Sequence, residues 1–314
     1  MKKFTKLVLA ASVALSANAM AMQSMDDAAL SATTGQDGIS IGIGISKIEI
    51  EKLFVHDNDG YAGAGGTGEA GAIVIQQNGS GATTAHGVVV GANYDNAGAY
   101  LLPTRNLADL VIDTDGNGGN AFINVAAQVS GLDINIGSIG VVKSADKPAS
   151  TAANIRRGGT GDVNEILTGL SVKTGPMTAN IQLGAAPQGA MIKLASTMVG
   201  GLTIENLGIV DNSTTSATRA KGIIHLDKIQ VADAGSRDLS IASNISVFGA
   251  EGADKGYLRI VSTTGAVDNY IAGVRLGSTD AASIGDVEVQ GLKTYFSPAM
   301  GTYLQGAIIT VKGH

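Results

Sequence analysis

An all-β fold is what this sequence predicts, and three observations predict it. Ile, Val and Leu alternate with polar or small residues in short runs, with period two rather than at helical spacing. Glycine is abundant, 44 of 314 residues where ~7% is usual, and it recurs with Asn and Asp between those runs, as turns require. Charged residues make up 15%, against a usual ~25%, and hydrophobic ones 44%, which is material for a buried core and not the composition of a disordered chain. These features fit an elongated two-layer or solenoid-like β-structure of many short strands. A sandwich of two sheets would give the same alternation.

Composition also excludes several classes. Five prolines and no G-X-Y period rule out collagen. Aromatic residues at 4%, with no Trp, are poor material for the girdles of an outer-membrane barrel. A net charge of −6 makes a nucleic-acid partner unexpected.

Read from the start, Lys2, Lys3 and Lys6 form a basic segment, followed by an apolar run over 7–17. Small residues at Ala17, Ala19 and Ala21 then offer cleavage sites. This pattern predicts a signal peptide over 1–21, since the run is too short to span a bilayer. No later run of 18 apolar residues is present, so no transmembrane segment is expected. With no Cys, export brings neither disulfides nor a thiol for lipid attachment.

Residues 22–56 are expected to hold one short N-terminal helix and the first strand. The helix is placed over 24–33, with Ser24 as cap, Asp26 and Asp27 in the first turn, and Gly35 after its end. Ile39, Ile41, Ile43 and Ile45 then alternate with small residues, and Ile48 and Ile50 continue one step out of phase. That slip at Ser46-Lys47 predicts a bulge or bend. Residues 57–105 are rich in Gly and Ala, with two short apolar runs at 72–75 and 87–90. They read as a hairpin-like insertion with mobile ends. Residues 106–314 form the main β domain, where short strands recur. Three of them share a Gly-apolar-polar-apolar pattern: Gly131-Leu132-Asp133-Ile134, Gly169-Leu170-Ser171-Val172 and Gly201-Leu202-Thr203-Ile204. Their spacings, 38 and 32 residues, make the repeat imperfect.

Three stretches carry a family resemblance. They are the run from Met25 to Ile41, with Leu30 and the block Gly35-Gln36-Asp37-Gly38-Ile39; Leu110-Val111-Ile112-Asp113-Thr114-Asp115-Gly116 with Ala121-Phe122-Ile123-Asn124-Val125; and Gly201 to Ile209. Together they resemble the FilA-like proteins of Gram-negative pilus systems, closely around 30–39 and loosely elsewhere. The resemblance implies a protein exported to the periplasm, the outer-membrane surface or an extracellular fibre. It implies other pilus-system or envelope proteins, or further copies of the chain itself, as partners. It brings no catalytic residues.

Chemical motifs are few. Gly38-Ile39-Ser40-Ile41-Gly42 has the spelling of a nucleophile elbow but lies inside an alternating strand, without the helix that chemistry needs. Gly63-Ala64-Gly65-Gly66-Thr67-Gly68 has the dinucleotide spelling but precedes a strand. Asp57-Asn58-Asp59-Gly60 and Asp113-Thr114-Asp115-Gly116-Asn117 resemble calcium loops. Asp113, Asp115 and Asn117 are the candidate ligands, and structural calcium is the one cofactor the sequence suggests. Gly68 and Asn124 stand where an EF-hand would place its bidentate Glu, and ordinary Asp-Gly turns account for both stretches equally. His56, His86, His225 and His314 are scattered, without zinc spacing. Gln36 stands where a double-glycine leader would need its second Gly, so a second processing step is not expected.

Ile39, Ile41, Ile43 and Ile45 carry the sharpest expectation: a strand lent to a neighbouring subunit. The alternative is a first strand paired within its own chain. The sequence therefore points to an exported, non-enzymatic structural protein of a pilus or surface-fibre system. Two alternatives stand beside it. One is a glycan-binding adhesin using Tyr257, Tyr270, Tyr295, Phe296 or Tyr303. The other is a β-helical polysaccharide enzyme using Asp227, Asp233 and Asp238.

Overall fold

A computed structural model of the chain describes residues 38–95, 102–252 and 255–313. The expected signal peptide and the helix over 24–33 lie outside the described residues. The chain divides into two units, Met1–Ile39 and Ser40–His314, and the second carries the sheets. The strands in chain order are β1 (Ile39–Ile43), β2 (Lys47–Ile50), β3 (Leu53–His56), β4 (Gly71–Gln76), β5 (Val88–Ala92), β6 (Ala108–Asp115), β7 (Phe122–Val129), β8 (Leu132–Ile136), β9 (Ser138–Ser144), β10 (Gly159–Leu167) and β11 (Leu170–Lys173). They continue as β12 (Met177–Gly184), β13 (Ile192–Met198), β14 (Leu202–Asp211), β15 (Gly222–Asp233), β16 (Leu239–Phe248), β17 (Tyr257–Ser262), β18 (Val267–Leu276), β19 (Gly285–Leu292), β20 (Tyr295–Ala299), β21 (Thr302–Gln305) and β22 (Ala307–Val311).

The all-β expectation holds. One sheet has eight strands in the order β1-β6-β7-β12-β13-β16-β17-β22. The second has twelve, but β2 with β3, β4 with β5, β8 with β9, and β10 with β11 are consecutive pairs sharing one position each. Those twelve strands fill eight positions: β2/β3, β4/β5, β8/β9, β10/β11, β14, β15, β18 and β19. Beyond β1, the chain gives two positions to one sheet and then two to the other. Both sheets therefore grow in chain order. The registered neighbours are antiparallel throughout, which is not the parallel coil-on-coil stacking of a β-helix.

Each sheet is organised around one cross-strand row of β-branched residues. In the second sheet the row is Ile48, Val90, Ile134, Val172, Ile204, Ile229, Ile271 and Val287. In the first it is Ile112, Val125, Ile181, Ile192, Ile245, Ile260 and Ile309. Directly opposed pairs of this kind contribute roughly 0.2–1 kcal/mol each relative to alanine. The three sequence repeats explain part of the pattern. They lie on β8, β11 and β14, which are neighbours, and their last residues, Ile134, Val172 and Ile204, are consecutive members of one row. Unequal sequence spacing thus conceals a regular spatial one.

Within residues 57–105 the two apolar runs are built into the second sheet. They form β4, seated between β3 and β9, and β5, seated between β2 and β8. Ala72 and Val74 of β4 pack with Val142 of β9 as a buried cluster, flanked by Phe54 and Val163. Backbone crowding accounts for some of the glycines, while Gly65, Gly79 and Gly81 take left-handed φ in open space. A Cβ on Gly87 would meet the backbone of Ile75 and Gln76 within 3.0 Å. The phase slip after Ile45 also has a larger meaning than a bulge: β1 ends and β2 begins in the other sheet.

Candidate interaction surfaces and polar clusters

The paired strands of the second sheet break along one line, which forms a crease across it. Gly87 N donates to the carbonyls of Ile50 (2.9 Å) and Glu51 (3.0 Å), Gly137 N to Gly87 O (2.8 Å), and Thr168 N to Gly208 O (2.9 Å). Past β11 the strands run through, and left-handed backbone positions mark the line. Asn206 has φ 59° and Gly273 φ 67°, left-handed values that cost a non-glycine residue free energy.

Polar side chains gather on this crease. Asp227 of β15 receives Arg275 of β18 in a bidentate pair, Nε to Oδ1 at 2.9 Å and Nη2 to Oδ2 at 2.7 Å. His225 Nε2 stands 3.2 Å from Asp227 Oδ1. The guanidinium lowers the Asp227 pKa, and the carboxylate raises that of Arg275. Asp286 of β19 accepts from Tyr270 OH (2.6 Å) and Gly273 N (2.8 Å). Both bonds hold the carboxyl below its ordinary pKa, and the same contact raises the Tyr270 phenol.

His225 and Asp227 form a close pair on the crease. His225 is buried; its Nε2 faces Asp227, and its Nδ1 is buried without a hydrogen-bond partner among the described residues. A broad polar cleft of about 840 Å³ runs beside it, lined by Asn78, Asn135, Glu165, Thr168, Lys221 and His225 among others. Its charged pair, Glu165 and Lys221, bond to each other.

A second cluster lies on the polar face. Lys173 of β11 contacts Asp95 at 2.5 Å and Glu205 of β14 at 3.2 Å, and Lys228 of β15 stands 3.5 Å from Glu205. Asp133, directly opposite Lys173 in the register, is partly desolvated, which raises its pKa.

The residues singled out from sequence are spread over several elements. Asp113 and Asp115 are exposed, two residues apart on β6, and the turn at 116–119 comes directly after them. Among the described residues no group of three or more His, Asp or Glu is placed to hold a metal ion. Asp233 and Asp238 hold the β15–β16 turn by accepting from Ser240 N (3.0 Å) and Gly200 N (2.8 Å). Asp227 is tied to Arg275 instead, apart from the turn that Asp233 and Asp238 share. Arg156 and Arg157 reach their own chain at Glu51 Oε2 (3.1 Å) and Ala145 O (2.6 Å). Tyr257 and Phe296 share a groove of about 380 Å³ with Arg259 and Lys312. Tyr257 also stacks on Phe248 at 4.9 Å.

Ile39, Ile41 and Ile43 lie on β1, which sits at the edge of the first sheet beside β6 of the same chain. Ile45 lies in the link to β2. Self-pairing still leaves edges open. Among the described residues, β1 and β22 bound the first sheet and β2/β3 and β19 the second, each paired on one side. All eight residues of β19 are exposed, as are the last four of β22. Ile39 is 61% exposed and Ile309 55%. β1 and β22 contain neither charge nor proline, the usual devices that blunt an edge. These edges are not visible in the sequence, because alternation marks a strand without saying whether a neighbour lies beside it.

Residues 1–102 match a family described as a family of unknown function (DUF6160). No curated protein and no solved structure matches the chain.

Proposed function

We propose that this chain is an exported, non-enzymatic structural protein of the cell envelope, working with a pilus or surface-fibre system, and that its sheet edges are its working surfaces. The observation that carries this reading is that, among the described residues, each sheet ends on two strands paired on one side only, with β19 exposed along its length and β1 and β22 free of charge and proline. An unpaired edge offers a row of N–H and C=O groups to another strand. The polar clusters support it from the other side, since the crease and polar-face carboxylates are engaged by cations and backbone N–H groups of their own chain. Cell fractionation with immunogold imaging tests the reading. Label on surface fibres is expected, and purely soluble periplasmic protein would overturn it.

One observation favours a second reading, a glycan-binding adhesin. The groove beside β22 sets Tyr257 and Phe296 with Arg259 and Lys312, and aromatic faces with polar neighbours suit a sugar. A glycan array separates the two: binding lost in Tyr257→Ala would favour the adhesin.

A further inference from the structure

The open edges are not equivalent, and their arrangement has a direction. Because both sheets grow in chain order, the earliest strands, β1 and β2/β3, bound one side of each sheet, and the latest, β22 and β19, bound the other. Only residues 44–46 link β1 to β2, so the two early edges start from neighbouring points. We propose that copies of this chain associate head to tail, with β19 and β22 of one copy adding to β2/β3 and β1 of the next. This rests on the reading that the edges are the working surfaces, and it names the partner as a second copy.

Three observations carry it. The first is parity. Each sheet has eight strand positions; the registered neighbours are antiparallel, and Leu107 N donates to Ile43 O, joining the end of β1 to the start of β6, so the first and last positions run in opposite directions. A second copy added in the same orientation continues the antiparallel alternation in both sheets at once. An odd number would have forced parallel pairing.

The second is the state of the rows at their ends. In the second sheet the interior members, from Val90 to Ile271, are at least partly covered, while the terminal Ile48 and Val287 are 39% and 46% exposed. In the first sheet Ile309 ends the row at 55% exposed. An added copy in row register sets Ile48 against Val287 and covers both.

The third is charge. The polar row beside it runs Lys47, Gly91, Asp133, Lys173, Thr203, Gln230, Tyr270 and Glu288. The same register therefore brings Lys47 of one copy to Glu288 of the other, an opposed cross-strand pair of the favourable sign. Asp286, on the other side of Val287, is already engaged by Tyr270 and Gly273. A head-to-tail contact uses two different surfaces, so it repeats from copy to copy and builds a filament unless its rotation closes a ring.

The chain has no cysteine, which makes the test direct. Ser40→Cys on β1 and Thr310→Cys on β22 are made separately in the full chain and treated with a short bis-maleimide. Head-to-tail addition predicts cross-linked dimer when the two variants are mixed, none with either alone, and a ladder of oligomers from the double variant. Ile309→Lys, at an exposed edge position, should cut the cross-linked fraction about tenfold while leaving the β-sheet circular dichroism unchanged. Glu288→Lys should weaken association, and mixing it with Lys47→Glu should restore it. Dimer from either single variant alone means twofold pairing of like edges, which overturns the direction and keeps the edges as working surfaces. A monomer under every condition overturns the inference. The larger reading then stands if immunogold still labels fibres, and falls if it does not.

Discussion

Gly273 of β18 lies against the carboxylate of Asp227 on β15, with no room for a Cβ between them. The glycine has φ 67°, so two constraints coincide at one residue, one steric and one conformational. Gly235 provides the control, with φ 72° and open space where a Cβ would stand. Gly235→Ala should cost about 1 kcal/mol for the left-handed backbone alone. Gly273→Ala should cost clearly more, about 2–4 kcal/mol, since the Asp227–Arg275 pair must also shift. Urea denaturation of the two variants gives the comparison.

The cross-strand rows make a positional prediction. Ile204 and Ile181 are interior members, while Ile309 ends its row at the sheet edge. Truncating either interior residue to Ala should destabilise by about 2–3 kcal/mol, toward the low end for core isoleucines because these side chains are only partly covered. Ile309→Ala should cost under about 1 kcal/mol in the isolated chain, where the side chain is mostly exposed. Equal losses at all three would show that the rows are not the stabilising unit.

Arg275 sets a pH dependence. It holds the folded-state pKa of Asp227 below its ordinary value. The stabilisation is therefore fully present above the unfolded carboxylate pKa of about 3.9 and is lost as pH falls through the lower folded value. Arg275→Ala removes it. The stability gap between wild type and variant should be widest near neutral pH and should close as pH drops below about 4, with added salt narrowing it throughout. A gap independent of pH would assign the loss to packing of the arginine stem instead.

Asp133 has the opposite sign. Partial burial raises its folded-state pKa despite Lys173 opposite. The ionised carboxylate therefore costs the fold stability as pH rises from the unfolded value through the raised one. Lys173 keeps Asp95 and Glu205 as partners if Asp133 is neutralised. Asp133→Asn should raise stability at pH 7 slightly, by under about 1 kcal/mol given how much of the side chain stays in solvent, read as a small rise in melting temperature, and should lose that advantage in acid.

The all-β class was legible because alternation is local. The segments LDINI and LSVK present one apolar face whatever lies beside them. The role of residues 72–75 and 87–90 was not. A short apolar run in Gly-rich surroundings reads as a peripheral hairpin, and only pairing with β9 and β8 makes it interior. Gly159–Leu167 was missed for a related reason: GTGDVNEIL opens on glycines and polar residues, and its strand character comes from its antiparallel partners on β9 and β14. The polar clusters were legible only in fragments. His225 and Asp227 are two residues apart, but Arg275, which decides what the pair can do, is 48 residues from Asp227.

By itself the sequence determined which segments could be strands and which face of each is apolar, because side-chain direction alternates along an extended backbone without help from the rest of the chain. Tertiary structure decided the order of those strands, the crease, and which four positions have a free side among the described residues. These depend on hydrogen-bonded pairing between segments far apart in the chain, and a backbone N–H or C=O group is chemically the same whether its neighbouring strand exists or not.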